Sequence, residues 1–259
     1  MARILVACEY SGTVRDAFSA LGHTAMSCDL LPSETPGLHY KGDVLDVLDG
    51  WMPVTHTEDC DFMGEGWCFL TDSDPAYCGC IGPTQDDVEY REKNGILFGR
   101  PISNPHWDLM ITHPPCTYLS VSGMHWTHRG LRDPQLTEDA LQFVQALIDA
   151  PIPMIAIENP VSVISSRIRK PDQIIHPYMF GHDASKKTCL WLKGLPKLYP
   201  TKVIEPRIVD GKKRWGNQTD SGQNRLGPSP DRWKIRSATY EGIAKAMANQ
   251  WNDVTFNLT

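Results

Sequence analysis

The 259-residue chain contains no run of about 18 consecutive apolar residues, so no part of it is expected to cross a membrane as a helix. It also lacks the charged-then-apolar opening of a secretory leader. Arg3-Ile4-Leu5-Val6-Ala7 has at once the character of a buried strand, and a cytoplasmic location is expected. No segment repeats. The eight cysteines include no Cys-x-x-Cys pair, and in a reducing compartment they are expected as thiols or metal ligands rather than disulfides. A strong excess of one charge is missing only on average. The net value of −6 conceals 16 Lys and Arg against 6 Asp and Glu between 161 and 236, and 10 acids against 3 bases between 51 and 104. Trp191, Trp215 and Trp233 are interleaved with the basic residues. That favours a polyanion partner such as nucleic acid over a merely solvated lysine-rich surface.

What is present suits one α/β domain carrying at most a small insertion, with 41% hydrophobic residues to fill its core. After the first strand comes a turn, Cys8-Glu9-Tyr10-Ser11-Gly12. A helix follows over Thr13 to Leu21, with Val14, Ala17, Phe18 and Leu21 at helical spacing and Gly22 as its C-cap. A second strand, His23 to Cys28, ends at Asp29. This order of strand, small-residue turn, helix, strand and acid is the one that binds nucleoside cofactors. Glu9, Tyr10, Ser11 and Gly12 would leave the turn amides and the helix N-terminus open to such a ligand. Asp29 would accept ribose hydroxyls, and Asp43, after a third short extended piece, would meet an adenine amino group. Each acid is equally well a helix cap or a solvated loop residue.

Two later strands end in reactive groups. Leu109-Met110-Ile111 is a short apolar run stopped by Pro114-Pro115, which delivers Cys116 stiffly past a strand end. Taken alone, that thiol is better read as buried and inert. Ile155-Ala156-Ile157-Glu158-Asn159-Pro160 repeats the design with a carboxylate, whose pKa burial is expected to raise. Between them Thr137 to Ala150 forms a helix, with Thr137 as cap and Ala140, Leu141, Val144, Leu147 and Ile148 on one face. A strand-helix-strand crossover places Cys116 and Glu158 on one rim of one parallel sheet. Residues 117 to 126 are expected as a loop with Gly123 for mobility, either closing over a substrate or simply lying on the surface. Further on, Ser185 to Leu192 suggests a strand, 199 to 235 irregular polyanion-facing loops, and Ser237 to Trp251 a last helix.

Residues 51 to 104 break this rhythm. They hold His56, Cys60, Cys68, Cys78 and Cys80 with poor apolar periodicity, so a metal is one way for the segment to fold, and thiolates with imidazole suit zinc. The other is an irregular acidic loop with free thiols. Asp86 to Tyr90 and Ile96 to Gly99 would pair as a hairpin turning at Asn94-Gly95.

On these residues the chain resembles the cytosine-C5 DNA methyltransferases, in a short, phage-like form. Pro115-Cys116 is similar to that family's nucleophile motif and Glu158-Asn159-Pro160 to its Glu-Asn-Val motif, in the same order and separated by one helix. The resemblance covers residues 3–50, 105–192 and the last helix. It implies a Rossmann-like S-adenosylmethionine-dependent methyltransferase sheet built from 1–50 and 105–259, with 51–104 as a small Cys-rich insertion able to hold zinc. It also implies S-adenosylmethionine bound at Glu9 to Gly12, Asp29 and Asp43, DNA as partner, and the cytoplasm of a bacterial or phage-infected cell. Cys116 would add to cytosine C6 while Glu158 donates to N3, and Asn159 would position groups around Glu158. The family's Phe-x-Gly-x-Gly turn is replaced here by Cys8 to Gly12. Its Gln-x-Arg-x-Arg segment is replaced by Ser185-Lys186-Lys187-Thr188, where Lys187 would take over the contact to the base carbonyl. A large target-recognition domain is nearly absent.

Other readings stay open at this point. They are methylation of RNA or of a free cytosine nucleotide, a non-catalytic nucleic-acid-binding protein on a decayed methyltransferase fold, and a cysteine hydrolase pairing Cys116 with His113 or His125.

Overall fold

A computed structural model describes residues 1–53, 88–102 and 106–256. Its centre is a mixed, mainly parallel seven-stranded sheet. The strands are β1 (Arg3–Ala7), β2 (Thr24–Asp29), β3 (His39–Lys41), β7 (Leu109–Thr112), β8 (Met154–Pro160), β9 (Gln173–Ile175) and β10 (Thr188–Lys193), in the spatial order β3-β2-β1-β7-β8-β10-β9. The first five run parallel, and β10 pairs antiparallel with both β8 and β9. Strand order therefore reverses between β1 and β7, and such a switch point opens a crevice beyond the strands' carboxyl ends.

Side chains alternate across the sheet. Leu5 and Ala7 enter one core, shared with the helix α3 (Gln135–Ile148), while Ile4 and Val6 enter the other, shared with α1 (Thr13–Ser19) and α6 (Glu241–Phe256). Covering both faces is what allows β1, β7 and β8 to be almost wholly apolar. Trp251 is fully buried in the second core and its indole N–H donates to Pro196 O at 3.0 Å.

Several boundaries differ from the sequence expectations. The helix expected from Thr137 begins at Gln135, because the Asp133 carboxylate accepts the Gln135 amide at 2.9 Å, and Thr137 instead donates its hydroxyl to Tyr118 O. The last helix, expected from Ser237 to Trp251, is α6, and a separate short helix precedes it in the segment expected to be irregular. α5 (Arg232–Ser237) ends at Ala238, whose ψ of 135° leaves the helical region before α6 starts. The expected loop 117–126 is largely a helix, α2 (Val121–His128), because the Ser120 hydroxyl accepts the Gly123 amide. Gly123 serves close packing rather than mobility, since a Cβ there would lie 2.1 Å from Thr117 O. The short helix α4 (Ile164–Arg167) follows β8.

Of residues 51–104, those described form a separate three-stranded sheet of β4 (Met52–Pro53), β5 (Val88–Lys93) and β6 (Ile96–Pro101). β5 and β6 pair antiparallel and turn at Asn94 and Gly95, both at positive φ, the turn that a two-residue Asn-Gly hairpin demands. His56, Cys60, Cys68, Cys78 and Cys80 lie outside the described residues. A small hairpin of β11 (Arg207–Val209) and β12 (Lys212–Arg214) interrupts the basic segment expected to be irregular. Among the described residues no helix is long and apolar enough to cross a membrane.

Trp251→Ala is expected to cost about 3–5 kcal/mol in urea denaturation, because it empties a filled core site and orphans a carbonyl. Tyr199→Ala, at a side chain 75% exposed, is expected to change stability by under about 0.5 kcal/mol.

Candidate active site

The parallel register of β7 with β8 pairs Thr112 with Ile157, so His113 and Glu158 are the next residues along. The His113 amide still bonds to Ala7 O at 3.0 Å, extending the β1–β7 ladder one step past the strand. Beyond it the chain is anchored from the neighbouring strand end: buried Asn159 donates its side-chain amide to Pro114 O at 2.8 Å. Cys116 then sits between the two prolines and α2, its carbonyl accepting the Ser120 amide at 2.9 Å. Of the four cysteines among the described residues only Cys116 is exposed. Cys8, which turns the chain out of β1 at φ 58, has its thiol pushed up to about 12, chiefly by burial.

Glu158 contacts His113 through Oε2 and Nδ1 at 3.0 Å, with side chains 12% and 10% exposed. Burial acts to raise the Glu158 pKa. The hydrogen bond from His113 and the charges of Lys186 and His113 outweigh it, and the carboxyl is held below its ordinary range. This corrects the expectation of a raised value, because a strand end that holds a histidine hydrogen bond and faces a lysine charge is not an apolar site. The Cys116 thiol shifts the other way. Desolvation within the cleft and the negative charge of Glu158 raise it, opposed in part by Lys186 and Arg236. His113 Nε2 and Asn159 Oδ1 are buried without a protein partner.

One cavity of about 1400 Å³ is lined by Cys116, Glu158 and His113 and also by Glu9, Tyr10, Ser11 and Asp29. Pro115, Asn159 and Lys187 line it too. Gly12 and Asp43 do not. Gly12 adopts φ 74, and a Cβ there would lie 2.1 Å from Thr35 Oγ1, so its task is the tight turn into α1. Asp43 accepts the Leu45 amide as the cap of a 3-10 turn, Val44–Asp46. Glu9 is buried, and its carboxylate accepts the amides of Val14 at 2.7 Å and Arg15 at 3.2 Å. The helix N-terminus expected to face a ligand is thus already occupied by an internal anion. Asp29 stands at the end of β2 and accepts the Leu31 amide at 2.9 Å.

Several residues escaped the sequence. Arg15 is buried to 1% exposure and donates to Ser27, Ser33, Thr35 and Pro36, folding the 30–37 segment against the turn. Lys186, rather than Lys187, places its charge on Glu158 and Cys116, and its Nζ donates to Arg236 O at 3.0 Å. Trp233 of α5 meets Tyr10 at 6.1 Å between ring centroids, while the Tyr10 hydroxyl is 3.2 Å from Ser237 Oγ. A lysine pair offers no sequence signal for which member's charge reaches the carboxyl and the thiol. Nor does Arg15 advertise partners twelve to twenty-one residues away. Among the described residues no hydrogen bond joins His113 or His125 to Cys116; His113 serves Glu158 instead. Nor do these residues contain a cluster of three or more His, Cys, Asp or Glu able to hold a metal.

No family model matches the chain, and no curated protein does. Among solved structures it is similar to a prophage-encoded E. coli protein provisionally described as a DNA modification methyltransferase, with a TM-score of 0.37 and 12% identity. The overlap covers 81% of this chain and 57% of that one, so the chain spans little more than half of its neighbour's length. A likeness this loose carries no argument.

Because the folded protein holds Glu158 below its ordinary value of 4.5, the ionised group stabilises the fold fully above that pH, and the contribution is lost as pH falls through the folded-state value. Glu158→Gln is accordingly expected to lose less stability than the wild type on acidification below pH 4.5, measured by urea denaturation across that range.

Proposed function

We propose that the protein transfers a methyl group from S-adenosylmethionine to C5 of cytosine in DNA through a covalent Cys116 adduct at C6. The observation that carries this reading is the single cavity shared by the Cys116–Glu158 rim and the β1–β2 rim. A donor bound at one end then lies within the same enclosure as a base held at the other. The residues of the second rim fit this donor. With the Glu9 carboxylate on the α1 amides and Asp29 beside it, that rim offers little to a pyrophosphate and suits a cationic sulfonium. Tyr10 supplies an aromatic face for the adenine. On this reading 1–50 and 105–259 form a Rossmann-like methyltransferase body, and 51–104 an accessory insertion that holds zinc if its His and Cys residues ligate.

When bound, S-adenosylmethionine supplies an electrophilic methyl group. The chain's own residues make cytosine C5 able to take it. Cys116 sulfur forms a bond to C6, the C5–C6 electron pair becomes available at C5, and negative charge collects at N3 unless a proton arrives. The proton that leaves the Cys116 thiol as this bond forms is taken up by Glu158, ionised at rest, and passed on to N3, while His113 Nδ1, 3.0 Å away, holds the carboxyl in place for that relay. The two events help one another. A charged Glu158 raises the Cys116 thiol, so neutralising the carboxyl favours the thiolate. After methyl transfer water entering the cleft takes the C5 proton, the C6–sulfur bond breaks by elimination, and the N3 proton returns through Glu158 to the sulfur, restoring the thiol and the ionised carboxyl. Asn159 keeps the thiol in place through Pro114. Lys186, Lys187 and Arg236 meet phosphates, which makes binding weaken steeply with salt.

Cys116→Ala is expected to abolish 5-methylcytosine formation, read by mass spectrometry of nucleosides from treated DNA, while calorimetry still records S-adenosylmethionine binding. Retained turnover excludes the nucleophile. Glu158→Gln is expected to lower the rate about 10²–10⁴-fold with cofactor affinity unchanged.

A further inference from the structure

We infer that the cleft takes its cytosine from an unpaired DNA strand whose neighbouring bases stack on Trp126 and Trp233. This rests on the reading of the cleft as a cytosine methyltransferase site, and it narrows the substrate to a single-stranded segment.

Exposed apolar side chains on a soluble protein are usually scattered singly. Here several of them, including both of the exposed tryptophans among the described residues, gather around one opening. Trp126 of α2 is 45% exposed and Trp233 of α5 is 52% exposed, and both line the cavity that holds Cys116. Val121, Val161 and Ile235, also exposed, line it beside them. The charged side chains in the same lining divide by the elements that carry them. Glu9, Asp29 and Glu158 stand at strand ends, whereas Arg132, Arg225, Arg236, Lys186 and Lys187 come from the connecting segments and α5. An apolar, aromatic rim set among cations is a surface for a ligand that is anionic along its backbone and flat and apolar at its side groups.

A duplex does not have that character from outside. Its base faces are stacked within, and only phosphates and groove edges meet a protein, so half-exposed tryptophans gain nothing from it unless bases leave the stack. An unpaired strand offers both parts at once: phosphates for the lysines and arginines, and a free face of each base for indole. It also brings cytosine to Cys116 without the unstacking that a base inside a helix requires. The aromatic side chains are anchored. Trp233 keeps contact with Tyr10 on one side, and the indole of Trp126 meets His125 edge-on at 5.8 Å between ring centroids.

The test is direct binding by fluorescence anisotropy, using one labelled cytosine-containing oligodeoxynucleotide as a single strand and annealed to its complement, with RNA of the same sequence and dCMP as competitors. The single strand is expected to bind at least about tenfold more tightly than the duplex. Trp126→Ala and Trp233→Ala are each expected to weaken it about tenfold, with Trp→Phe recovering most of the loss and Tyr199→Ala, at an exposed ring outside the cavity, changing nothing. Thermal melts establish that each variant is folded, and the Phe variants keep the test informative if an Ala variant is not. Equal or tighter duplex binding, unchanged affinity in folded Ala variants, preference for the RNA, or displacement by dCMP at concentrations comparable with the oligonucleotide overturns the inference. Binding needs no methyl transfer. A single-strand preference without 5-methylcytosine formation removes the proposed activity and leaves this inference, and methylation confined to duplex removes this inference alone.

Discussion

One hydrogen bond, from the Asn159 side-chain amide to Pro114 O, ties the two halves of the reactive rim together. Each strand end could otherwise leave the sheet independently. β7 stops at Thr112, and proline removes the backbone donors that would extend its ladder. Asn159 replaces the lost backbone pairing with a side-chain donor from β8, buried so that water does not compete. The position of Cys116 is thus set by β8, the same strand that carries Glu158. The 2.8 Å contact is what brings a sulfur and a carboxyl from positions forty-two residues apart to one cavity.

Around that tie the charges are balanced for rest. A lowered carboxyl and a raised thiol describe a site with one negative charge, on Glu158, shared with His113 and Lys186. The second negative charge needed for nucleophilic attack is unfavourable until the first is quenched. On the proposed reading, a base presenting N3 is what draws the proton across. At the other rim Glu9 plays a quieter part, holding the start of α1 and leaving the crevice acidic where related crevice geometries are built for phosphate.

How far the sequence could be read follows from how local each signal is. β1, β7 and β8 are short apolar runs with abrupt stops, and the Asn94-Gly95 turn needs only its own two residues. The neighbouring placement of β7 and β8 followed from the helix between them. α2 was missed because its helical faces carry no apolar stripe and its cap, Ser120, is one polar residue in a polar stretch. The alternative already weighed for Asp43, a local cap, is what the structure places there. Glu9 on the α1 amides and His113 on Glu158 are tertiary facts: the first depends on how the turn folds back, the second on a register between strands forty-five residues apart. The sign of the Glu158 shift depended on Lys186 and His113, neither of which is near it in the chain. Residues 54–87, with the histidine and cysteines expected to bind metal, stand outside what the structure describes.

The raised thiol of Cys116 has a bearing on how the protein ages. It is the exposed cysteine among those described, and peroxides and stray electrophiles attack the sulfur anion rather than the protonated form. Keeping the proton on sulfur makes the most accessible of the described thiols a slow target for oxidation, so the cleft's exposed sulfur is shielded by its own electrostatic surroundings.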